Sequence, residues 1–267
     1  MSKFRTTEIS DPRFESNNLR HITVKSNHLK NRGDITVFVP DGEDLTSLPI
    51  VILLHGVYGS HWIWSQKTGI HLKMKSWIEK GEIKPMIIAM PSDGLWGDGS
   101  GYLPHQNSDF EKWIVEDVPN AIVALIPQAN EQSKLCIAGS SMGGFGALRL
   151  GIKYNDKFSA VSGLSSITVV EQMKLFVYEE LSAYNQDKKE NKSVFETILK
   201  HQDKLPPFRF DCGKDDLLIE GNRKLHQQLN DLKIDHIYKE NQGKHEWVYW
   251  ETHIKETILF FNDILKN

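Results

Sequence analysis

Gly139-Ser140-Ser141-Met142-Gly143 is a G-x-S-x-G pentapeptide set between the apolar run 134–140 and a stretch of helical character. A serine in that setting sits on a sharp strand-to-helix turn with its hydroxyl thrust clear of the sheet. Glycines two residues to either side let the helix and the neighbouring strands close in. The chemistry this suggests is nucleophilic attack. A serine hydroxyl is a weak nucleophile at neutral pH, so it needs a base, a carboxylate that orients the base, and N–H donors for the developing oxyanion.

Where a serine occupies this turn, the order along the chain is serine, acid, histidine. Downstream of Ser141 the strand-like "FRFDCG" runs into "KDDLL" and delivers both Asp215 and Asp216 to a strand end. "DHIYKEN" then runs into "QGKHEW" and delivers His245. His226 and His253 fall within helical stretches, His236 lies inside a strand, and His201 belongs to a segment outside the regular alternation. His245 is therefore the candidate base, and the residue types leave Asp215 and Asp216 both open as its acid.

The oxyanion would need the N–H of Met142 and a second donor from a loop after an early strand. "LLHGVYGSHWIW" (53–64) supplies that loop, with a turn at Gly56 and the N–H of Val57 as donor. The glycine-rich "DGLWGDGSGYLPHQ" (93–106) lacks the G-x-x-x-x-G-K-[ST] phosphate-loop pattern. It reads as a rim whose Trp96 and Tyr102 would face a sugar or phenolic group. His105 and Asp109 have no second clustered pair beside them, so no metal and no cofactor is expected.

These residues require a scaffold of strand ends. "HITVKS" (21–26) and "DITVFVP" (34–40) read as an N-terminal hairpin. The apolar runs 49–55, 86–92, 134–140, 158–164 and 208–213, with a more polar run at 235–241, alternate with helical stretches at 68–80, 109–126, 142–154, 219–232 and 246–265. Strands apolar on both faces and separated by helices predict a mainly parallel central sheet covered on both sides. Residues 165–205 interrupt the alternation. They read as two helices, "VVEQMKLFVYEELSAYN" and "SVFETILKHQD", capping the C-terminal edge of the sheet. Their Met173, Phe176, Val177 and Tyr178 are expected to roof a compact pocket.

At 267 residues with 39% hydrophobic content the chain suits one α/β domain spanning 1–267, with the insertion at about 165–205. A net charge of -3 with dispersed Lys and Arg argues against nucleic acid or an anionic membrane. The longest apolar runs, such as "IVILL" at 50–54, are too short to cross a bilayer, and no apolar stretch follows the charged N-terminus. Cys136 and Cys212 form no metal-type pair and fall on strands that one further strand should separate, so both are expected as free thiols in a cytoplasmic setting.

Taken together, "LLHGVYGS", "AGSSMGGFGALRLG", "CGKDDLLIEGNRKLHQQL" and "GKHEWVYW" resemble the putative-esterase family of α/β hydrolases over about residues 20 to 265. That family includes esterase D type S-formylglutathione hydrolases, tributyrin-esterase-like enzymes, feruloyl and acetylxylan esterases and, more distantly, mycolyltransferases. The resemblance implies an α/β-hydrolase fold, Ser141 as nucleophile and His245 as base. It also implies Asp216 as the acid, because relatives place it three residues after the glycine that here is Gly213. Many relatives have glycine where this chain has Tyr58, which would then shape the substrate pocket. The expected activity is hydrolysis of short-chain acyl or carbohydrate-linked esters through an acyl-enzyme. The alternatives are an acyltransferase using the same residues, an S-formylglutathione-type thioester hydrolase, and a non-catalytic binding protein of the same fold. The expected partner is a small-molecule or sugar-linked ester, and the sequence leaves homo-oligomerisation open.

Overall fold

A computed structural model describes residues 4–42 and 45–266; the ends of the expected 1–267 unit, and Glu43 and Asp44, lie outside the described residues. Nine strands form one sheet: β1 (Thr7–Ile9), β2 (Leu19–Lys25), β3 (Arg32–Phe38), β4 (Ile50–Leu54), β5 (Ile87–Pro91), β6 (Leu135–Ser140), β7 (Phe158–Leu164), β8 (Phe208–Gly213) and β9 (Ile237–Asn241). Their order is β1-β2-β3-β5-β4-β6-β7-β8-β9. β1, β2, β3 and β5 pair antiparallel in succession, and the remaining pairings are parallel. This is an α/β-hydrolase-type sheet with the expected N-terminal hairpin, to which the three-residue edge strand β1 is added.

The helices are α1 (Ile63–Thr68), α2 (Ile70–Glu79), α3 (Phe110–Lys112), α4 (Val118–Leu125), α5 (Met142–Lys153), α6 (Lys189–Lys192), α7 (Val194–Lys200), α8 (Ile219–Asp231) and α9 (Trp247–Leu265). Among the described residues none is long and apolar enough to cross a membrane. The helical stretch expected at 68–80 starts earlier and breaks at Gly69, whose φ of 61° ends α1.

Alternation along the central strands explains the two-sided core. Ile50, Ile52 and Leu54 of β4 enter one hydrophobic cluster, whereas Val51 and Leu53 enter the other. β4 is flanked by β5 on one side and β6 on the other, and β6 leads outward through β7 to β9. Chain direction across the sheet therefore reverses at β4, and ligands of open α/β sheets collect outside the strand C-termini at such a switch point. The Leu54–Gly139 register sets the ends of β4 and β6 side by side, which brings Gly56 next to Ser141.

The insertion departs from expectation. Its first half is two short 3-10 turns, Val170–Leu175 and Leu181–Tyr184, rather than one helix. Two causes are visible. Phe176, Val177 and Tyr178 are poor helix formers. In addition, the Tyr178 N–H donates to the Asp98 carboxylate at 2.8 Å instead of to the fourth carbonyl back. The second half is helical, as α6 and α7.

Polar ties hold this segment to α5 and, through it, to α3. Arg149 of α5 is fully buried and donates to Glu111 at 2.5 Å, to the Tyr102 carbonyl at 2.6 Å and to Asn191 of α6 at 3.3 Å. Glu111 also accepts from Lys153 and from Tyr154, each at 2.7 Å.

Candidate active site

Ser141 stands between β6 and α5 with φ 56° and ψ -121°, a left-handed conformation that a side chain occupies at a cost of about 1–3 kcal/mol. The flanking glycines make this turn possible by close approach. A Cβ on Gly139 would run into the Gly143 carbonyl, and one on Gly143 would lie 2.6 Å from the carbonyl oxygens of Leu54 and His55. Both positions therefore exclude any side chain. The residue's hydrogen bonds fix the turn: its N–H donates to the Leu164 carbonyl at 2.9 Å, and its carbonyl accepts from Ile167 and from Phe145 of α5.

His245 reaches Ser141 from the loop between β9 and α9, its Nε2 lying 2.9 Å from the serine Oγ. Its Nδ1 lies 3.0 and 3.1 Å from the two Asp216 carboxylate oxygens. Asp216 is 2% exposed and its Oδ1 also accepts the Leu218 N–H at 2.8 Å. Asp215 is exposed and stands outside this chain of contacts. A turn separates the two aspartates: the Asp216 N–H returns to the Gly213 carbonyl, whereas the Asp215 N–H reaches across to Gly243 on the histidine loop. The Lys214 N–H adds a bond to the Asn241 carbonyl at 2.8 Å, so the loops bearing Asp216 and His245 are stitched together. The His245 ring is wedged between Phe176, tilted over it at 5.0 Å, and Trp250, edge-on at 5.1 Å.

A Cβ built on Gly56 would lie 3.2 Å from the Ser141 Cβ, which puts the 55–60 loop against the nucleophile turn. Among the described residues neither the Val57 nor the Met142 N–H has a hydrogen-bond acceptor. The Tyr58 N–H is occupied by the Asp98 carbonyl at 2.8 Å. The Val57 and Met142 amides, which the sequence nominates as donors, are thus both unengaged beside Ser141.

A pocket of about 260 Å³ opens beside Ser141, walled mainly by Val57, Ile63, Phe176, Trp247 and Trp250, with Tyr58 at its mouth. Tyr58 is 62% exposed and holds a positive φ of 59°. Trp96 and Tyr102 do not line it, and the expectation that they face the substrate is corrected. Tyr102 is fully buried and its hydroxyl donates to the His55 carbonyl at 2.9 Å. Trp96 packs against His105 at 4.3 Å and Tyr184 at 5.4 Å. The expected roof is reduced to Phe176, because Met173 is buried in the core and Tyr178 is 95% exposed. The sequence reading missed Trp247 and Trp250 as walls. Their three-residue spacing directly after His245, at the start of a helix, was the signal that puts both rings on one face.

Residues 26–261 match the family described as putative esterases. The chain is 27% identical over 241 residues to an acetyl esterase of Caldicellulosiruptor saccharolyticus, covering 83% of this chain and 86% of that protein. Its fold is similar to that of an S-formylglutathione hydrolase from Staphylococcus aureus, with TM-score 0.76 and 18% identity over 95% of this chain and 98% of the other. It is also similar to a ferulic acid esterase, with TM-score 0.78 and 22% identity over 97% and 99% of the two chains. With its family match running through the nucleophile turn and both partner loops, the chain belongs to the putative-esterase family.

Proposed function

We propose that the chain is a serine carboxylic-ester hydrolase acting on short-chain acyl or carbohydrate-linked esters, with Ser141 as nucleophile, His245 as general base and acid, and Asp216 as its orienting carboxylate. The observation that carries this reading is the contact chain Oγ to Nε2 at 2.9 Å and Nδ1 to carboxylate at 3.0 Å, ending beside two unengaged amides. The Ser141 Oγ attacks the ester carbonyl carbon while its proton passes to His245 Nε2. The carbonyl oxygen, now an oxyanion, takes the N–H groups of Val57 and Met142. Collapse expels the alcohol with the proton from Nε2 and leaves an acyl-Ser141 ester. Water, deprotonated by His245, then releases the acid. Asp216 accepts the Nδ1–H and holds the imidazolium in place.

The apolar walls Ile63, Phe176, Trp247 and Trp250 suit the acyl part, and the open mouth at Tyr58 suits a polar alcohol such as a sugar. A single α/β-hydrolase unit over 1–267 is part of the same reading and is supported by the continuous nine-stranded sheet. A cytoplasmic setting is part of the same reading.

Burst kinetics with p-nitrophenyl butyrate test the reading. One equivalent of phenol per chain is expected in the burst. Ser141→Ala and His245→Ala should each lower kcat by on the order of 10⁴ to 10⁶, and the double variant should be little worse than either. Near-wild-type turnover in Ser141→Ala would remove the assignment.

A further inference from the structure

His55 follows the last residue of β4, is 2% exposed, and does not itself line the pocket. Its ring is nevertheless fully engaged. The Asp93 N–H lies 3.0 Å from Nε2, so that nitrogen must present its lone pair. The proton therefore sits on Nδ1, which lies 2.7 Å from the Gly56 carbonyl oxygen and donates to it. The Asp93 carboxylate is 3.9 Å from Nε2, beyond hydrogen-bond reach, and is engaged instead by the Leu95 and Ser100 N–H groups. One neutral tautomer satisfies every contact of the ring.

The consequence lies in the next peptide. In a trans peptide the C=O and the following N–H point in opposite directions, and no cis bond occurs among the described residues. Holding the Gly56 carbonyl on His55 therefore aims the Val57 N–H away from His55. Gly56 itself lies against Ser141, so the Val57 amide, opposite His55, is left unbonded beside the nucleophile. The Gly59 N–H also donates to the Gly56 carbonyl, at 3.3 Å, so the His55 Nδ1–H is the shorter of two bonds holding a peptide whose glycine has no side chain to restrict its rotation. Gly59 completes the seat: a Cβ there would collide with the His55 ring, so the loop closes over the imidazole only as glycine. The Tyr102 hydroxyl on the His55 carbonyl and the Asp93 N–H on its ring anchor the same residue to the 93–102 loop.

We propose that His55 is a positioning residue for the reaction: as the Nδ1–H tautomer it locks the Gly56–Val57 peptide with the Val57 N–H directed at the oxyanion. This rests on the serine-esterase reading above.

The test separates the two ends of the ring. Asn at position 55 places its amide NH₂ near the Nδ1 position and keeps the donor to Gly56. Gln places its polar atoms near Nε2, which keeps the outer acceptor for Asp93 and loses the donor. Loss of one oxyanion donor costs about 10²–10³ in kcat, so His55→Gln should fall by about 10²-fold with KM little changed, and His55→Asn should recover most of that loss. A trifluoromethyl ketone, whose Ser141 adduct carries the oxyanion, should lose affinity for His55→Gln in parallel with kcat/KM, while affinity for the alcohol product, which carries no oxyanion, stays unchanged. His55→Leu serves as the variant lacking both polar ends and should match His55→Gln in kcat. Equal losses in the Asn and Gln variants, or parallel weakening of ketone and product binding, would make His55 merely structural and overturn the proposal. A wild-type protein that fails to hydrolyse esters would instead overturn the esterase reading, and this inference with it.

Discussion

Replacing Glu111 by Gln should destabilise the protein in a way that depends on pH with a defined sign. The Glu111 carboxylate is 5% exposed and meets the fully buried Arg149 guanidinium at 2.5 Å, with Lys153 and Tyr154 on its other oxygen at 2.7 Å each. Burial works to raise its pKa, but the charges of Arg149 and Lys153 outweigh burial and hold it at about 2, against an ordinary 4.5. That depression corresponds to about 3 kcal/mol of stability. Because the folded pKa lies below the unfolded one, the contribution is complete above the unfolded value and is lost as pH falls toward the folded value. Glu111→Gln leaves Arg149 buried without its charge partner, which is the same loss seen from the arginine and costs about 3–5 kcal/mol on the general scale. Urea melts of both proteins at a series of pH values check this. The difference in unfolding free energy should be about 3 kcal/mol at pH 7 and shrink by up to about 1.4 kcal/mol per pH unit on descending from pH 4.5 toward 2. A difference that stays constant over that interval, or one under about 0.5 kcal/mol at pH 7, would refute the assignment of the network as an ionised one.

Asp216→Asn should reduce kcat by about 10³ to 10⁴, whereas Asp215→Asn should have a small effect, as steady-state kinetics will show; the reverse ranking would shift the acid by one residue. Burial pushes the Cys136 thiol up to about 12 and raises that of Cys212 as well, so native protein should resist thiol titration while denatured protein titrates two thiols. Fewer than two after denaturation would contradict the β6-β7-β8 order that keeps them on non-adjacent strands. Phe176→Ala should shift the chain-length optimum of kcat/KM on p-nitrophenyl esters upward, each newly admitted methylene contributing up to about 0.8 kcal/mol; an unchanged profile would remove Phe176 as a wall of the pocket.

The central strands were legible because they are apolar on both faces: the runs 158–164 and 208–213 coincide with β7 and β8 residue for residue. Ser141 and His245 were legible because both sit at strand ends where the chain must turn. Asp216 could not be separated from Asp215 by residue type. What distinguishes them is a turn closed on Gly213 and a bond to the histidine loop, contacts that no local pattern encodes. The same limit explains Tyr102. An aromatic residue in a glycine-rich loop looks like a rim, but its hydroxyl is used 47 residues away on the His55 carbonyl. In the insertion, a helix that periodicity allowed gave way to Asp98, whose carboxylate takes the Tyr178 N–H. His55 shows the converse: its spacing next to Gly56 was in plain view, but its work lies in a peptide orientation that appears only when the Asp93 loop folds over it.

The central claim is that Ser141 is the activated nucleophile of this site. The most direct measurement is labelling of the native protein with a fluorophosphonate, followed by mass spectrometry of the intact chain and its peptides. The account predicts one adduct per chain, located on the peptide that contains Ser141, absent in Ser141→Ala and formed much more slowly in His245→Ala. An adduct on any other residue, or equal labelling of the Ser141→Ala protein, would contradict it.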